Sequence, residues 1–346
     1  MRAYQLVEWQ RPPELRDVPV PEPGPGEVLV KVGGAGACHS DLHLMEWSAG
    51  FLPYELPFTL GHENAGWIET LGAGVKGWEV GDAVAVYGPW GCGRCRPCRM
   101  SLETLCERAS ELGAAGGGLG RDGGMAEYML VPDSRLLVAL GELDPRDAAP
   151  LSDAALTPYH AIKLALDTLV PGTSSVVIGV GGLGHMAVQI LRALSPTRVI
   201  ATDIDAAKLE LARSVGADHT VASGEHAAAE ILELAGGRGA ALVLDCVGSD
   251  ATLALDAQVV AKGGAVMVIG VAGGTLDYRF NTLPSDASLT HPYWGSAIEL
   301  AEVLELTRSG RITAHAEHFP LERVTDAYDR MRNGTLSGRA VITPHG

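Results

Sequence analysis

Basic residues are scarce in this chain. Lysine and arginine number 26 against 42 aspartates and glutamates, a formal net charge of −16. So acidic a protein is not expected to take nucleic acid or an anionic membrane as a main partner, because both require a basic face. Long hydrophobic runs are also missing, and no stretch approaches the roughly eighteen consecutive apolar residues of a membrane span. The opening Met1-Arg2-Ala3-Tyr4 has no apolar core after its charge, so no secretory signal is expected and a cytoplasmic location is. Internal repeats and low-complexity tracts are absent. Cysteines number six, at 38, 92, 95, 98, 106 and 246. Four of them crowd together, and in a long chain without a secretory signal such crowding points to metal rather than to disulfides.

What is present supports a sizeable core. Hydrophobic residues make up 47% of 346, and that length suggests about two domains. The first third reads as short strands and turns, with the β-rich run Val28-Leu29-Val30-Lys31-Val32 after a Pro- and Gly-rich stretch. Cys38-His39-Ser40-Asp41-Leu42-His43 follows, dense in chemistry, with Ser40-Asp41 suited to capping a helix. Gly61-His62-Glu63 comes next. Cys92, Cys95, Cys98 and Cys106 form a C-x2-C-x2-C-x7-C array. Four thiolates at such spacing can wrap one tetrahedral zinc with no position to spare, which is the pattern of a structural site. Arg94, Arg96, Arg99 and Arg108 stand among them and are expected to offset their negative charge. An iron–sulfur cluster is the rival occupant, although nothing else points to electron transfer. Gly116 to Gly120 reads as a flexible loop without nucleotide context. Cys38, His62 and Asp153 are a thiolate, an imidazole and a carboxylate, three ligand types that suit zinc and leave its fourth position open for chemistry.

From Ser174 the pattern becomes βαβ. Ser175 to Ile178 is an apolar, buried-type strand, Gly179-Val180-Gly181-Gly182-Leu183-Gly184 matches G-x-G-x-x-G, a helix is expected from about His185 to Leu194, and a second strand ends at Asp203. An acidic residue about twenty positions after such a glycine turn is the context of a dinucleotide site. The turn and helix N-terminus suit a pyrophosphate. A carboxylate at 203 suits ribose hydroxyls and repels a 2′-phosphate, so NAD is expected over NADP. Further alternation makes six parallel strands plausible.

Taken together, these motifs resemble the zinc-dependent medium-chain alcohol dehydrogenases, close to bacterial NAD-dependent secondary-alcohol dehydrogenases, over essentially the whole chain. The resemblance implies an α/β protein: a Rossmann doubly wound parallel sheet over 153–290, and a GroES-like β-rich catalytic domain from 1–152 and 291–346 whose structural zinc lobe spans about 91–107. It implies two Zn2+ per chain. One would be catalytic, on Cys38, His62 and Asp153 with Glu63 beside it or as a transient ligand. The other would be structural, on the four cysteines. Gly179, Gly181, Gly182, Leu183 and Gly184 would meet the NAD pyrophosphate. Asp203 and Lys208 would hold the adenosine ribose, and Arg339 a phosphate. Thr157, Ile269 and Val271 would lie near the nicotinamide. Ser40 and His43 would carry the alcohol proton to solvent. Trp47, Phe51, Leu52, Tyr54, Tyr293 and Trp294 would wall an apolar pocket, suiting neutral and secondary alcohols or ketones. The assembly would be a homotetramer or dimer. Two positions depart from much of the family: Asp153 stands where many members have cysteine, and His39 where some place an arginine beside the pyrophosphate. A polyol or sugar-alcohol dehydrogenase on the same scaffold is the rival reading. A catalytically silent nucleotide-binding or structural protein would need no such assembly of Cys38, His62, Asp153, Ser40 and His43.

Overall fold

A computed structural model describes all residues, 1 to 346. The backbone divides into two compact units: Met1–Ala154 with Ser296–Arg308 and Ala316–Gly346, and Ala155–Gly295 with Ser309–His315. Asp153 thus belongs to the first unit. No helix is long and apolar enough to cross a membrane.

The first unit is β-rich. Its main sheet runs in the order Leu137–Ala139, Ala83–Val86, Glu63–Leu71, Val28–Ala37, Arg339–Thr343, Ala316–Pro320, with Tyr128–Val131 also pairing to Val28–Ala37. The run foreseen at Val28 to Val32 is therefore twice as long. Its second half is Gly33-Gly34-Ala35-Gly36-Ala37, which carries little strand propensity of its own. Tertiary pairing decides the matter: Gly36 pairs with Glu63 and Ala37 with Ala340. A Cβ on Gly36 would stand 1.9 Å from a carboxylate oxygen of Glu63, so only glycine admits the close approach. A smaller sheet joins Glu14–Asp17, Arg2–Leu6 and Phe58–Thr59.

Gly116 to Gly120 is not a flexible loop. Gly116–Gly117 pairs with Gly120–Arg121, and residues 116 to 119 are buried. A Cβ on Gly118 would lie 2.4 Å from the carbonyl oxygen of Gly61. These glycines are there for tight packing beneath the His62 turn, a demand that composition alone resembles flexibility.

The second unit carries a six-stranded, all-parallel sheet in the order His219–Ala222, Arg198–Asp203, Ser174–Ile178, Ala240–Asp245, Val260–Val268, Ser288–Thr290. That is the 3-2-1-4-5-6 Rossmann order. Ser174–Ile178 is buried at every position, as a strand covered on both faces must be. Val176, Ile178, Ile200, Val243 and Val266 form its core with Ile231 and Leu253 from the helices.

Candidate metal centres and dinucleotide site

The strand register of the first unit gathers one cluster. Cys38 follows Ala37, His62 precedes Glu63, and Arg339 precedes Ala340, so three paired strands deliver them together. Asp153 arrives from the helical turn Ala149–Ser152, which packs on the strands Val28–Ala37 and Glu63–Leu71. Cys38, His62, Glu63 and Asp153 each place a ligand atom within 4.8 Å of the others. Cys38 Sγ lies 3.9 Å from Asp153 Oδ2, and His62 Nε2 lies 3.6 Å from the same oxygen. A tetrahedral zinc with bonds of about 2.0–2.3 Å sets its ligands roughly 3.3–3.8 Å apart. The donor set and its spacing therefore fit such an ion.

Asp41 orients this cluster, and the sequence did not single it out for that role. Fully buried, it is the third residue of the helix His39–Glu46, which Cys38 caps. Its Oδ2 accepts the Cys38 backbone N–H and the Tyr328 hydroxyl, each at 2.9 Å, while its Oδ1 lies 3.1 Å from His62 Nδ1. With Nδ1 turned to Asp41, Nε2 is the ring atom that faces the cluster. The spacing of Asp41 from Cys38 is a cap signal. Tyr328, 287 residues away, left none.

Arg339 departs from its expected place at a phosphate. Its Nε donates to Glu63 Oε2 at 2.9 Å, Nη2 bonds Glu63 Oε1, and Nη2 lies 3.6 Å from Asp153. Buried at 2% exposure, it is a cation inside the metal-type cluster. Burial pushes the Cys38 thiol up, but Arg339 and His62 outweigh it and lower the thiol below its ordinary value. Burial likewise opposes ionisation of Asp153, and His62 and Arg339 hold that carboxyl well below the usual range. The two anionic donors are thus electrostatically prepared for a cation.

Ser40 Oγ lies 3.6 Å from Cys38 Sγ. Ser40 and His43 are one helical turn apart on the same face, and the imidazole stacks on Trp47 with centroids 6.2 Å apart. Trp47 meets Phe51 at 4.7 Å, and Tyr54 meets Phe58 edge-on at 6.1 Å. Phe51 is exposed and Leu52 half-buried. In the second unit Tyr293 is half-exposed and Trp294 buried, with their rings edge to face.

The four cysteines make a second cluster. Sγ separations are 3.3 Å for Cys95–Cys98 and 4.0 Å for Cys92–Cys98 and Cys95–Cys106, around the roughly 3.8 Å of a tetrahedral S4 zinc. Backbone N–H groups of Arg94 and Cys95 bring the Cys92 thiol down to about 6. Of the interleaved arginines, Arg108 acts electrostatically on Cys92 and Cys106, but its guanidinium bonds Glu111. Arg135, from outside the array, ties the lobe down by donating to Glu103 at 2.6 Å and to the Gly91 carbonyl at 2.7 Å.

In the second unit the glycine turn sits at the carboxyl end of Ser174–Ile178 and opens the helix Gly184–Leu194. A Cβ on Gly184 would strike the Gly179 carbonyl at 1.9 Å, whereas one on Gly181 would meet nothing within 4 Å. The first closes the turn. The second leaves the open cradle a pyrophosphate needs, so the turn fits a dinucleotide. Gly182 and Leu183 lie in the same turn. Asp203 ends the adjacent strand, accepting N–H groups of Val180 at 2.7 Å and Asp205 at 3.0 Å. Each oxygen keeps a lone pair, and Lys208 lies one helical turn on. Ile269 is buried and Val271 half-exposed beyond the strand Val260–Val268. Thr157 is buried in the helix Leu156–Ala165. His39, the remaining candidate contact, is exposed in the first unit.

Comparison with known proteins places the chain among relatives of full length. Residues 24–141 match the family described as Alcohol dehydrogenase GroES-like domain, and residues 182–309 the family described as Zinc-binding dehydrogenase. An NAD-dependent alcohol dehydrogenase of Sulfurisphaera tokodaii is 37% identical over 99% of this chain and 100% of its own length. A D-arabinose 1-dehydrogenase (NADP(+)) of Saccharolobus solfataricus is 35% identical over 99% and 97%. The crystal structure of the alcohol dehydrogenase from Aeropyrum pernix superposes with a TM-score of 0.91 at 35% identity, covering 99% and 100%. These relatives are archaeal, where the sequence resemblance had pointed to bacterial enzymes.

Proposed function

The chain belongs to the zinc-dependent medium-chain alcohol dehydrogenase family, and from that premise we propose how its residues serve the reaction. It is an NAD-dependent oxidoreductase of the alcohol-dehydrogenase type, built from a Rossmann domain and a GroES-like domain. The observation that carries our reading is the convergence of Cys38, His62 and Asp153 on one point, with Asp41 behind the imidazole. We assign a catalytic zinc to these three residues and a structural zinc to the four cysteines, two per chain. Glu63 stays beside the catalytic ion, neutralised by Arg339. Bound there, zinc supplies a Lewis acid toward an alcohol or carbonyl oxygen, and NAD supplies the hydride acceptor.

The chain's own work is to bind, orient and move a proton. Ser40 Oγ, beside Cys38, takes the substrate hydroxyl proton as it gives up its own, and His43 one turn along the helix hands a proton to solvent. The Gly179 to Gly184 turn receives the pyrophosphate, and Asp203 with Lys208 receives the adenosine ribose. Asp203 favours NAD by repelling a 2′-phosphate. Thr157, Ile269 and Val271 stand at the nicotinamide. The aromatic residues from Trp47 to Tyr54, with Tyr293 and Trp294, suit neutral secondary alcohols and ketones. The protein acts in the cytoplasm as a homotetramer or dimer.

A second reading, a polyol or sugar dehydrogenase, is favoured by the D-arabinose-oxidising relative of similar identity. Following NADH formation over 2-propanol, 1-phenylethanol, primary alcohols, sorbitol, threitol and D-arabinose separates the two. Preference for the apolar secondary alcohols supports the first, preference for the polyhydric substrates the second.

A further inference from the structure

The core of the second unit holds two carboxyl groups that no role above explains. Asp245 ends the strand Ala240–Asp245, and Asp256 stands on the helix Asp250–Val259 packed against it. Both are fully buried. Asp245 Oδ1 accepts the backbone N–H of Val247 at 2.8 Å and of Gly248 at 2.9 Å. Asp245 Oδ2 and both carboxyl oxygens of Asp256 meet no donor. Three buried acceptors without a donor are costly, and two ionised carboxylates in contact more so. A single proton removes the repulsion and gives partners to two of the three oxygens, since a carboxylic acid has one O–H to give. Asp245 already accepts two backbone N–H groups whereas Asp256 accepts none, so the proton belongs on Asp256.

We propose that Asp256 is a neutral carboxylic acid whose O–H donates to Asp245 Oδ2, and that through Asp245 it is a positioning residue for the nicotinamide end of the cofactor. Asp245 is the hub of two turns at the carboxyl ends of neighbouring strands. Its side chain holds Val247 and Gly248. Its main-chain oxygen accepts the N–H of Ile269 at 2.8 Å and of Gly270 at 3.0 Å, and Val247 in turn holds Ala272 at 3.0 Å. The loop bearing Ile269 and Val271 therefore hangs on Asp245. This cofactor link rests on the reading above; the proton does not.

The surroundings agree. Leu253 and Val259 on the same helix and Val243 on the same strand, with Ile231, Val266 and Val268, belong to the apolar core of this unit. Asp245 is the charged group acting on Asp256, and Asp245, Asp256 and Asp203 all act electrostatically on the Cys246 thiol, which burial pushes up. Burial, with Asp245, pushes the Asp256 carboxyl up to about 9. An aspartate in the unfolded chain ionises near about 3.9. With the folded value raised, the stabilising contribution is complete below about 4, declines as pH rises towards about 9, and is lost above it.

Infrared spectra and thermal melts of the full-length zinc-loaded enzyme, wild type beside Asp256→Asn and Asp256→Ala, test this. The wild type at neutral pH should show a protonated carboxylic-acid carbonyl band that Asp256→Asn lacks. Its Tm should fall between about pH 5 and 9 more steeply than that of Asp256→Asn, which has no proton to lose. Asp256→Ala strands Asp245 Oδ2 and should raise KM for NAD about tenfold with a smaller effect on kcat, and Asp256→Asn, whose amide can donate, should recover most of it. Absence of the band, or equal pH slopes in wild type and Asp256→Asn, overturns the neutral acid. An unchanged KM in folded Asp256→Ala overturns the positioning role. If Asp256→Ala does not fold, the same KM test is read on Asp256→Leu, and the infrared result on the wild type stands by itself. A wild type that shows the band yet does not use NAD sinks the cofactor reading and leaves the proton in place.

Discussion

The four-cysteine lobe draws all its donors from one short segment, Cys92 to Cys106, while the mixed cluster joins Cys38 to Asp153 across 115 residues. The lobe is half-exposed, and its thiols are served by backbone N–H groups of the same turns. The mixed cluster is buried and depends on strand register, on Asp41 behind His62, and on the guanidinium of Arg339. An all-sulfur site closed on itself suits a structural ion, and a site of three kinds of donor with Ser40 beside it suits chemistry. What the contrast teaches is that local geometry can be written into spacing, whereas a reactive centre is an outcome of the fold.

The largest effect should separate the clusters. His62→Ala should reduce turnover to background while the Tm changes little; Cys98→Ser should do the reverse, lowering Tm because metal binding by such a lobe is folding free energy, with little change in kcat per folded molecule. Steady-state assays beside calorimetry read both, and a Cys98→Ser protein with native Tm would erase the distinction. Next, Ser40→Ala should cost on the order of 10²-fold in kcat, the usual loss for a proton-transfer group. Native zinc content would show that the loss is not one of metal. Asp41→Ala should weaken metal binding by about 10–100-fold, as removal of a carboxylate behind a ligating histidine does. Chelator competition measures it, and loss of metal from the cysteine lobe instead would contradict the placement of Asp41. The smallest change is expected for His43→Ala: slower alcohol oxidation mainly at low pH, where no outside base replaces the imidazole. An identical pH–rate profile would remove His43 from the proton path.

Legibility in the sequence followed the same divide. The cysteine array and the Gly179 to Gly184 turn with Asp203 could be read because turn geometry forces their spacing, and the alternation after Ser174 foretold the parallel sheet. Cys38, His62 and Asp153 could be named as donor types, but their meeting depends on Gly36 pairing with Glu63 and Ala37 with Ala340, which no local pattern encodes. The family resemblance placed Arg339 at a phosphate; strand register turns it onto Glu63. Tyr328 had no local signal at all. The glycines from 116 to 120 were misread because close packing and flexibility draw on the same residue.

Zinc per chain, measured by plasma emission on wild type and Cys38→Ser, tests the central assignment most directly. Two ions in the wild type and one in the variant, with NADH formation lost together with the missing ion, is the result this arrangement of residues predicts. One ion in both proteins, or full activity in the variant, would contradict it.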